Sequence, residues 1–359
     1  MNSVFGSGKN NMKFDLQNLV RENIRRLVPY SSARKEFAGR AKIFLDANEN
    51  SFGSPLARDY NRYPDPLQLE IKEKIGDIES IKTSGIFIGN GSDEAIDLLF
   101  RIFCEPRTDN CLICPPTYGM YEVSAAINDV EVKRANLTAD FGLDFQAIEN
   151  EIDAATKLLF ICSPNNPTGN AFARADISNL AKNFGGIVVV DEAYIHFSRG
   201  DSMTRDIENL PNLVVLQTFS KAWGLAGLRV GTAFANEEII ALFNKVKSPY
   251  NVSQIAQEAV LKALENRAAV EETISAIIAE RERLVDGLRE FSFVRKIYPT
   301  DANFVLVKTT DADSIYKFLL RQKIVVRNRN NVELCEGCLR ITVGTPEENK
   351  SLVNALKKL

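Results

Sequence analysis

The sequence predicts an α/β chain: a large domain with a mostly parallel central sheet wrapped by helices, followed by a smaller α+β domain. Three observations carry this. Short apolar runs rich in β-branched residues alternate with helix-period stretches through the middle of the chain. Gly, Asn, Pro and Ser cluster where those runs stop. After Val252 the alternation gives way to one long amphipathic stretch, and then to strands and helices in another order.

The elements follow in chain order. Residues 1–11, MNSVFGSGKNN, are small and polar and read as a disordered extension, with Met12 a candidate alternative start. Residues 12–45 form an N-terminal segment expected to join the smaller domain. Residues 46–252 form the large domain. There IFIGNG is a strand running into a Gly turn, followed by the helical pattern SDEAIDLLFRIF. NCLICPP is a strand before the helix YGMYEVSAAIN, and KLLFICSP a strand before ARADISNLAKNF. IVVVDEAY, NLVVLQTFSK and LRVGTAFA are further strands. Residues 253–290 read as one linking helix, and 291–359 as the small C-terminal domain with strands ANFVLVK, KIVVRNR and CLRITVGT and a last helix EENKSLVNALKKL.

Composition excludes several function classes. The chain is 45% hydrophobic and 25% charged with net charge -3, an ordinary globular balance without the basic footprint that nucleic acid or an anionic membrane requires. No apolar run is long enough to span a bilayer, and no signal peptide precedes the first helix, so a cytoplasmic enzyme is expected. The six cysteines include two C-x-x-C pairs, Cys111/Cys114 and Cys335/Cys338. These lie at opposite ends of the chain, and in a strand Cys111 and Cys114 point to opposite faces. They read as reduced core thiols, with no metal site expected.

In a mostly parallel sheet, ligands sit beyond the carboxyl ends of the strands. Three polar clusters fall there: Asn90-Gly91-Ser92, Asp191 closing the run VVVD, and Ser220-Lys221. A lysine just past a buried strand is a Schiff-base candidate, because burial lowers its pKa and frees the amine. A carboxylate at the end of a buried strand needs a cationic partner. Pyridoxal 5'-phosphate makes matching demands: a lysine for its aldehyde, an acid for its ring nitrogen, donors for its phenolic oxygen, and amides, hydroxyls and a cation for its phosphate. The candidates are Lys221, Asp191, Tyr194 with Asn166, and Gly91-Ser92 with Ser220 and Arg229. His196, the only histidine, has no step to perform and reads as a residue backing the site. Asp93 and Glu94 suit a helix first turn.

S-P-N-N-P-T-G at Ser163–Gly169, D-E-A-Y at Asp191 and S-K-x-x-x-L-A-G-L-R at Ser220–Arg229 together resemble the fold-type I pyridoxal-phosphate aminotransferases. RENIRRLVPYSSAR, LDANEN, NRYPDP, CPPTYGMY and CLRITVGT are similar, more narrowly, to the histidinol-phosphate aminotransferases, from about Leu16 to the C-terminus. The resemblance implies amino transfer between L-histidinol phosphate and 2-oxoglutarate by a ping-pong route, in histidine biosynthesis. It implies that Lys221 carries the cofactor and moves the proton, that Asp191 holds the ring nitrogen, and that Asn166 and Tyr194 contact the phenolic oxygen. Tyr118 would stack on the ring. The amides of Ser92 and Asp93, with Ser220 and Arg229, would bind the phosphate. Tyr63 would reach that phosphate across a homodimer interface. Arg340, helped by Arg327 and Tyr30, would bind the substrate's anionic group. An aromatic amino acid aminotransferase or a phosphothreonine-type decarboxylase would keep the fold and change the reaction. A cofactor-sensing transcription regulator would need an N-terminal DNA-binding domain, and no basic recognition helix is visible.

Overall fold

The computed structural model describes residues 14–30, 43–56 and 58–359. Seven strands form the large sheet: β1 (Ile86–Gly89), β2 (Asn110–Ile113), β3 (Glu131–Arg134), β4 (Thr156–Cys162), β5 (Ile187–Asp191), β6 (Leu213–Thr218) and β7 (Gly231–Ala235). Their spatial order is β1-β7-β6-β5-β4-β2-β3. Pairs among β2 to β6 are parallel, and β7 lies antiparallel between β6 and β1. β1 therefore runs with β6, so the ends of β1, β4, β5 and β6 and the start of β7 meet at one edge.

Both faces are covered, which is why the strands read as continuous apolar runs. Val188 and Val190 pack beneath the helices Leu69–Glu79, Arg174–Asn183 and Gln254–Glu265. Ile187 and Val189 face the other way, against Gly91–Phe103, Met120–Ile127 and Glu237–Val246. Cys111 and Cys114 divide between these same two layers, and all six cysteines are buried and free. Among the described residues no Cys, His, Asp and Glu cluster could hold a metal, and no helix is long and apolar enough to cross a membrane.

The smaller sheet is antiparallel, in the order β10-β11-β9-β8, from β8 (Val294–Ile297), β9 (Phe304–Thr309), β10 (Arg327–Asn328) and β11 (Cys338–Thr342). Val305, Val307, Leu339 and Ile341 pack onto the helices Arg267–Arg289, Ala312–Arg321 and Pro346–Leu356. The alternate residues face the large domain, where Leu306 and Cys338 join its core and Phe304 packs against Tyr194.

Three expectations need correction. The stretch 253–290 is two helices, Gln254–Glu265 and Arg267–Arg289, broken at Asn266. That residue leaves helical geometry (φ -100, ψ 32) while its N–H caps the first helix, a position that suits Asn. Of KIVVRNR only Arg327 and Asn328 pair as strand. The N-terminal segment does not pack on the smaller domain where it is described. Leu16, Val20 and Ile24 enter the core beneath Phe87 and Phe103, and the Arg21 guanidinium donates to the Arg101 carbonyl. Its residues 31–42 lie outside the described residues.

Candidate active site

The strand ends build one cleft. It has about 490 Å³ of free space and is lined by Ser92, Asp93, Tyr118, Cys162, Asn166, Asp191, Tyr194, Thr218, Ser220, Lys221 and Arg229. Asp191 is its floor. The residue is 2% exposed, and its two oxygens are held by different donors: the Tyr121 hydroxyl on Oδ2 at 2.8 Å and the Ala193 amide on Oδ1 at 3.1 Å. Burial raises its pKa to about 6, opposed by the bonds from Tyr121 and Ala193. A buried carboxylate in that state favours a cation beside it.

Lys221 follows β6 by three residues, and its Nζ stands 5.6 Å from the centre of the Tyr194 ring. Its surface is open to the cleft, but protein atoms crowd it elsewhere. That desolvation, and then Arg340, lower its pKa, while Asp191 works the other way. Tyr194 is buried edge-on against Phe304 at 5.2 Å, and burial pushes its phenol up.

The rim beside Lys221 is a helix N-terminus. The Gly91–Phe103 helix opens with no side chain capping its free amides, so an anion can take them. Two glycines make that opening possible. Gly91 has φ +74, and a side chain there would meet the Arg229 guanidinium at 2.9 Å. A Cβ on Gly231, where β7 starts, would lie 2.2 Å from the Ser92 nitrogen. The Arg229 guanidinium donates to Ser220 Oγ and to Asp93 Oδ2, each at 3.2 Å. The Tyr118 hydroxyl donates to Asp93 Oδ1 at 3.1 Å.

The smaller sheet reaches the edge of the cleft through Arg340, which bonds Asn166. Arg327 pairs in register with Arg340, and the Arg329 amide bonds the Cys338 carbonyl at 2.9 Å. Arg327, Arg329 and Arg340 thus share one sheet face, the one that carries Leu306 and Phe304 toward the large domain. Arg340 donates to Asn166 Oδ1 and lies 5.2 Å over the Phe304 ring. The Nε atoms of Arg329 and Arg340 are buried without an acceptor. Burial and then the Arg329 charge lower the pKa of Arg340.

Two expected site residues lie elsewhere in this chain. Tyr63 is half exposed and stacks on Tyr250 at 4.4 Å. Tyr30 is largely exposed and lines a separate groove with Pro66 and Lys247. His196 sits behind the site in a small apolar chamber with Glu79, Gln217 and Trp223, where burial lowers its pKa to about 4. Two residues escaped the sequence reading, Tyr121 and Arg329. Their signals were spacing: Tyr121 follows Tyr118 by about one helical turn, and Arg329 follows Arg327 by one strand period.

The model of the family "Aminotransferase class I and II" matches residues 42–356. The chain belongs to this family. As a member it is an aminotransferase that works with pyridoxal phosphate. This aminotransferase is 52% identical to a protein of Parabacteroides distasonis named histidinol-phosphate aminotransferase, over 96% of this chain and 99% of that one. It is 49% identical to the protein of that name from Cytophaga hutchinsonii, with the same coverage. Among solved structures it resembles the histidinol-phosphate aminotransferase of Clostridium acetobutylicum, with TM-score 0.77 and 27% identity over 83% of this chain and 90% of that one. The aminotransferase shares its fold, at TM-score 0.71 and 24% identity, with L-threonine-O-3-phosphate decarboxylase from Porphyromonas gingivalis, over 83% of this chain and 90% of that one.

Proposed function

We propose that this aminotransferase moves the amino group of L-histidinol phosphate to 2-oxoglutarate, giving imidazole acetol phosphate and glutamate, in cytoplasmic histidine biosynthesis. The observation that carries the reading is the arginine face over the cleft. Arg327, Arg329 and Arg340 stand together there, two of them with a buried donor still free. Clustered guanidiniums suit a phosphate dianion and tolerate a dicarboxylate, because the planar fork fits both. An aromatic amino acid would bring only one carboxylate to those three charges.

The residues fit pyridoxal phosphate. Asp191 would hold the ring nitrogen, Tyr194 and Asn166 the phenolic oxygen, and Tyr118 the ring face. The Ser92 and Asp93 amides, framed by Gly91 and joined by Ser220 and Arg229, would hold the phosphate, and Lys221 the aldehyde. When bound, the cofactor supplies an electron sink for the bond broken at the substrate carbon. Lys221 Nζ, with its lowered pKa, would accept the proton from that carbon and return it to the cofactor carbon on the other side of the transferred nitrogen. Asp191 stays anionic against a cation, which relieves the cost of its burial. Arg340 and Arg327 would orient the donor's anionic end, whereas Tyr30, in its separate groove, takes no part in the site of its own chain.

The second subunit of a homodimer would complete the site with Tyr63. That tyrosine lines an open surface groove with Tyr250 and the exposed Ile255, which suits burial against a second copy. The test of the substrate is a donor panel with 2-oxoglutarate, read as glutamate formed. Histidinol phosphate should be the fast donor. Faster reaction with phenylalanine, or carbon dioxide release from O-phosphothreonine, would replace the reading with one of its rivals.

A further inference from the structure

Tyr121 belongs to no motif role assigned above, yet it touches the floor of the cleft. Its ring is wholly buried. It stacks on Phe160 at 4.7 Å and 18°, and meets Tyr118 edge-on at 5.6 Å and 86°. Two rings therefore fix its plane and leave its hydroxyl one direction, toward Asp191 Oδ2 at 2.8 Å. The side chains of Ile187, Val189 and Asp191 share a sheet face by strand alternation, and the Met120–Ile127 helix that carries Tyr121 covers that face. The other oxygen of Asp191 takes the Ala193 amide. The hydroxyl's remaining polar neighbour is the neutral thiol of Cys162.

We propose that Tyr121 is a positioning residue, which locks the Asp191 carboxylate in the rotation that presents its free lone pairs to the cofactor's ring nitrogen. The inference rests on the reading of Asp191 as the partner of that nitrogen. A carboxylate held at only one oxygen can turn, whereas one held at both cannot, and a pyridinium N–H is a single directional donor. Tyr121 is suited to the task because it is neutral: it donates a bond without cancelling the charge that the ring nitrogen needs. It also ties the ring-stacking Tyr118 to Asp191, since both tyrosines rise from one short stretch of chain.

The test is Tyr121→Phe in the holoenzyme, which keeps the ring and removes the hydroxyl. Three quantities are read: the dissociation constant of pyridoxal phosphate, the pH midpoint of the bound cofactor's visible absorbance, and kcat against KM for the donor. Loss of one charge-assisted bond should weaken cofactor binding and kcat by roughly tenfold each. The absorbance midpoint should move upward, because a ring held less firmly protonated withdraws fewer electrons from the lysine-bound group. KM for the donor should stay within about twofold, since no donor contact is touched. Tyr121→His, which can still donate, should restore part of the midpoint, and it serves as the test if the Phe variant does not fold. In an Asp191→Asn background the Phe substitution should add little, because the two residues act as one unit. A wild-type midpoint and cofactor affinity in Tyr121→Phe, or equal effects with and without Asp191, would overturn the proposal. Loss of melting temperature alone would also overturn it, by making the bond merely structural. If Asp191→Asn itself leaves cofactor binding and turnover unchanged, the reading beneath the proposal fails instead.

Discussion

Replacing Asp191 by Asn should make the cofactor-free protein more stable and the enzyme far worse. In the folded chain burial lifts the carboxyl from its ordinary 3.8 to about 6. At about 1.4 kcal/mol per pH unit, holding that group ionised at neutral pH costs on the order of 3 kcal/mol. The sign follows from proton counts. Between pH 4 and 6 the folded state binds the proton and the unfolded state does not, so stability falls as pH rises through this window. Above about pH 6 the whole penalty is present. Asn carries no such charge, and it can still accept from Ala193 and meet the Tyr121 hydroxyl. Spread over 359 residues, the relief corresponds to a rise in Tm of roughly 4 °C at pH 7.5, and of less than about 1 °C at pH 4. The assay is thermal melting of both proteins without cofactor at a series of pH values, repeated with pyridoxal phosphate. Added cofactor should stabilise the wild type more than the variant, because only the wild type gains a pyridinium partner for its anion. Parallel pH profiles for the two proteins, or a variant less stable at pH 7.5, would refute the reasoning.

Other outcomes follow from the same geometry. Lys221→Ala should lose turnover and the visible band of the bound cofactor, and spectra of the purified variant check both. Gly231→Ala would put a methyl 2.2 Å from the Ser92 amide, and should weaken cofactor binding at least tenfold while β7 still forms, measured by equilibrium dialysis and circular dichroism. Arg329→Gln should raise KM for histidinol phosphate about tenfold, and change cofactor affinity little, since only the arginine face is altered. Mixing inactive Tyr63→Ala and Lys221→Ala chains should restore about a quarter of wild-type activity, because half the sites in mixed dimers are whole. No recovery after subunit exchange would place Tyr63 outside the partner's site.

Strand ends were the readable part of this chain. β4, β5 and β6 are buried on both faces and so appear as unbroken apolar runs, and the polar residues that end them, Ser163, Asp191 and Ser220, meet at one edge. The edge strand β3 is EVKR and β8 is VRKI. Their charges face solvent, so no apolar run announces them. The break at Asn266 was hidden because amphipathic spacing continues on both sides of one residue. The place of residues 14–30 against Phe87 and Phe103 rests on long-range packing, which no local pattern encodes. Within the cleft, Lys221 and Asp191 stood in recognisable motifs. Tyr121 closes the run CPPTYGMY, but no role came with it, since a tyrosine on the buried side of a helix looks like any core aromatic. Its hydroxyl acquires meaning only when β5 brings Asp191 within 2.8 Å. Arg329 was similarly concealed, because a charge two residues past Arg327 reads as a solvated loop until Cys338 extends the pairing.

The most direct measurement is a single half-reaction on the purified protein loaded with pyridoxal phosphate. L-Histidinol phosphate is added without an acceptor, and the cofactor's visible band is followed beside L-phenylalanine and O-phosphothreonine. Fast loss of the band with histidinol phosphate, and its return on adding 2-oxoglutarate, is the result expected of amino transfer at an arginine-lined site. Fast loss with phenylalanine and none with histidinol phosphate would contradict it.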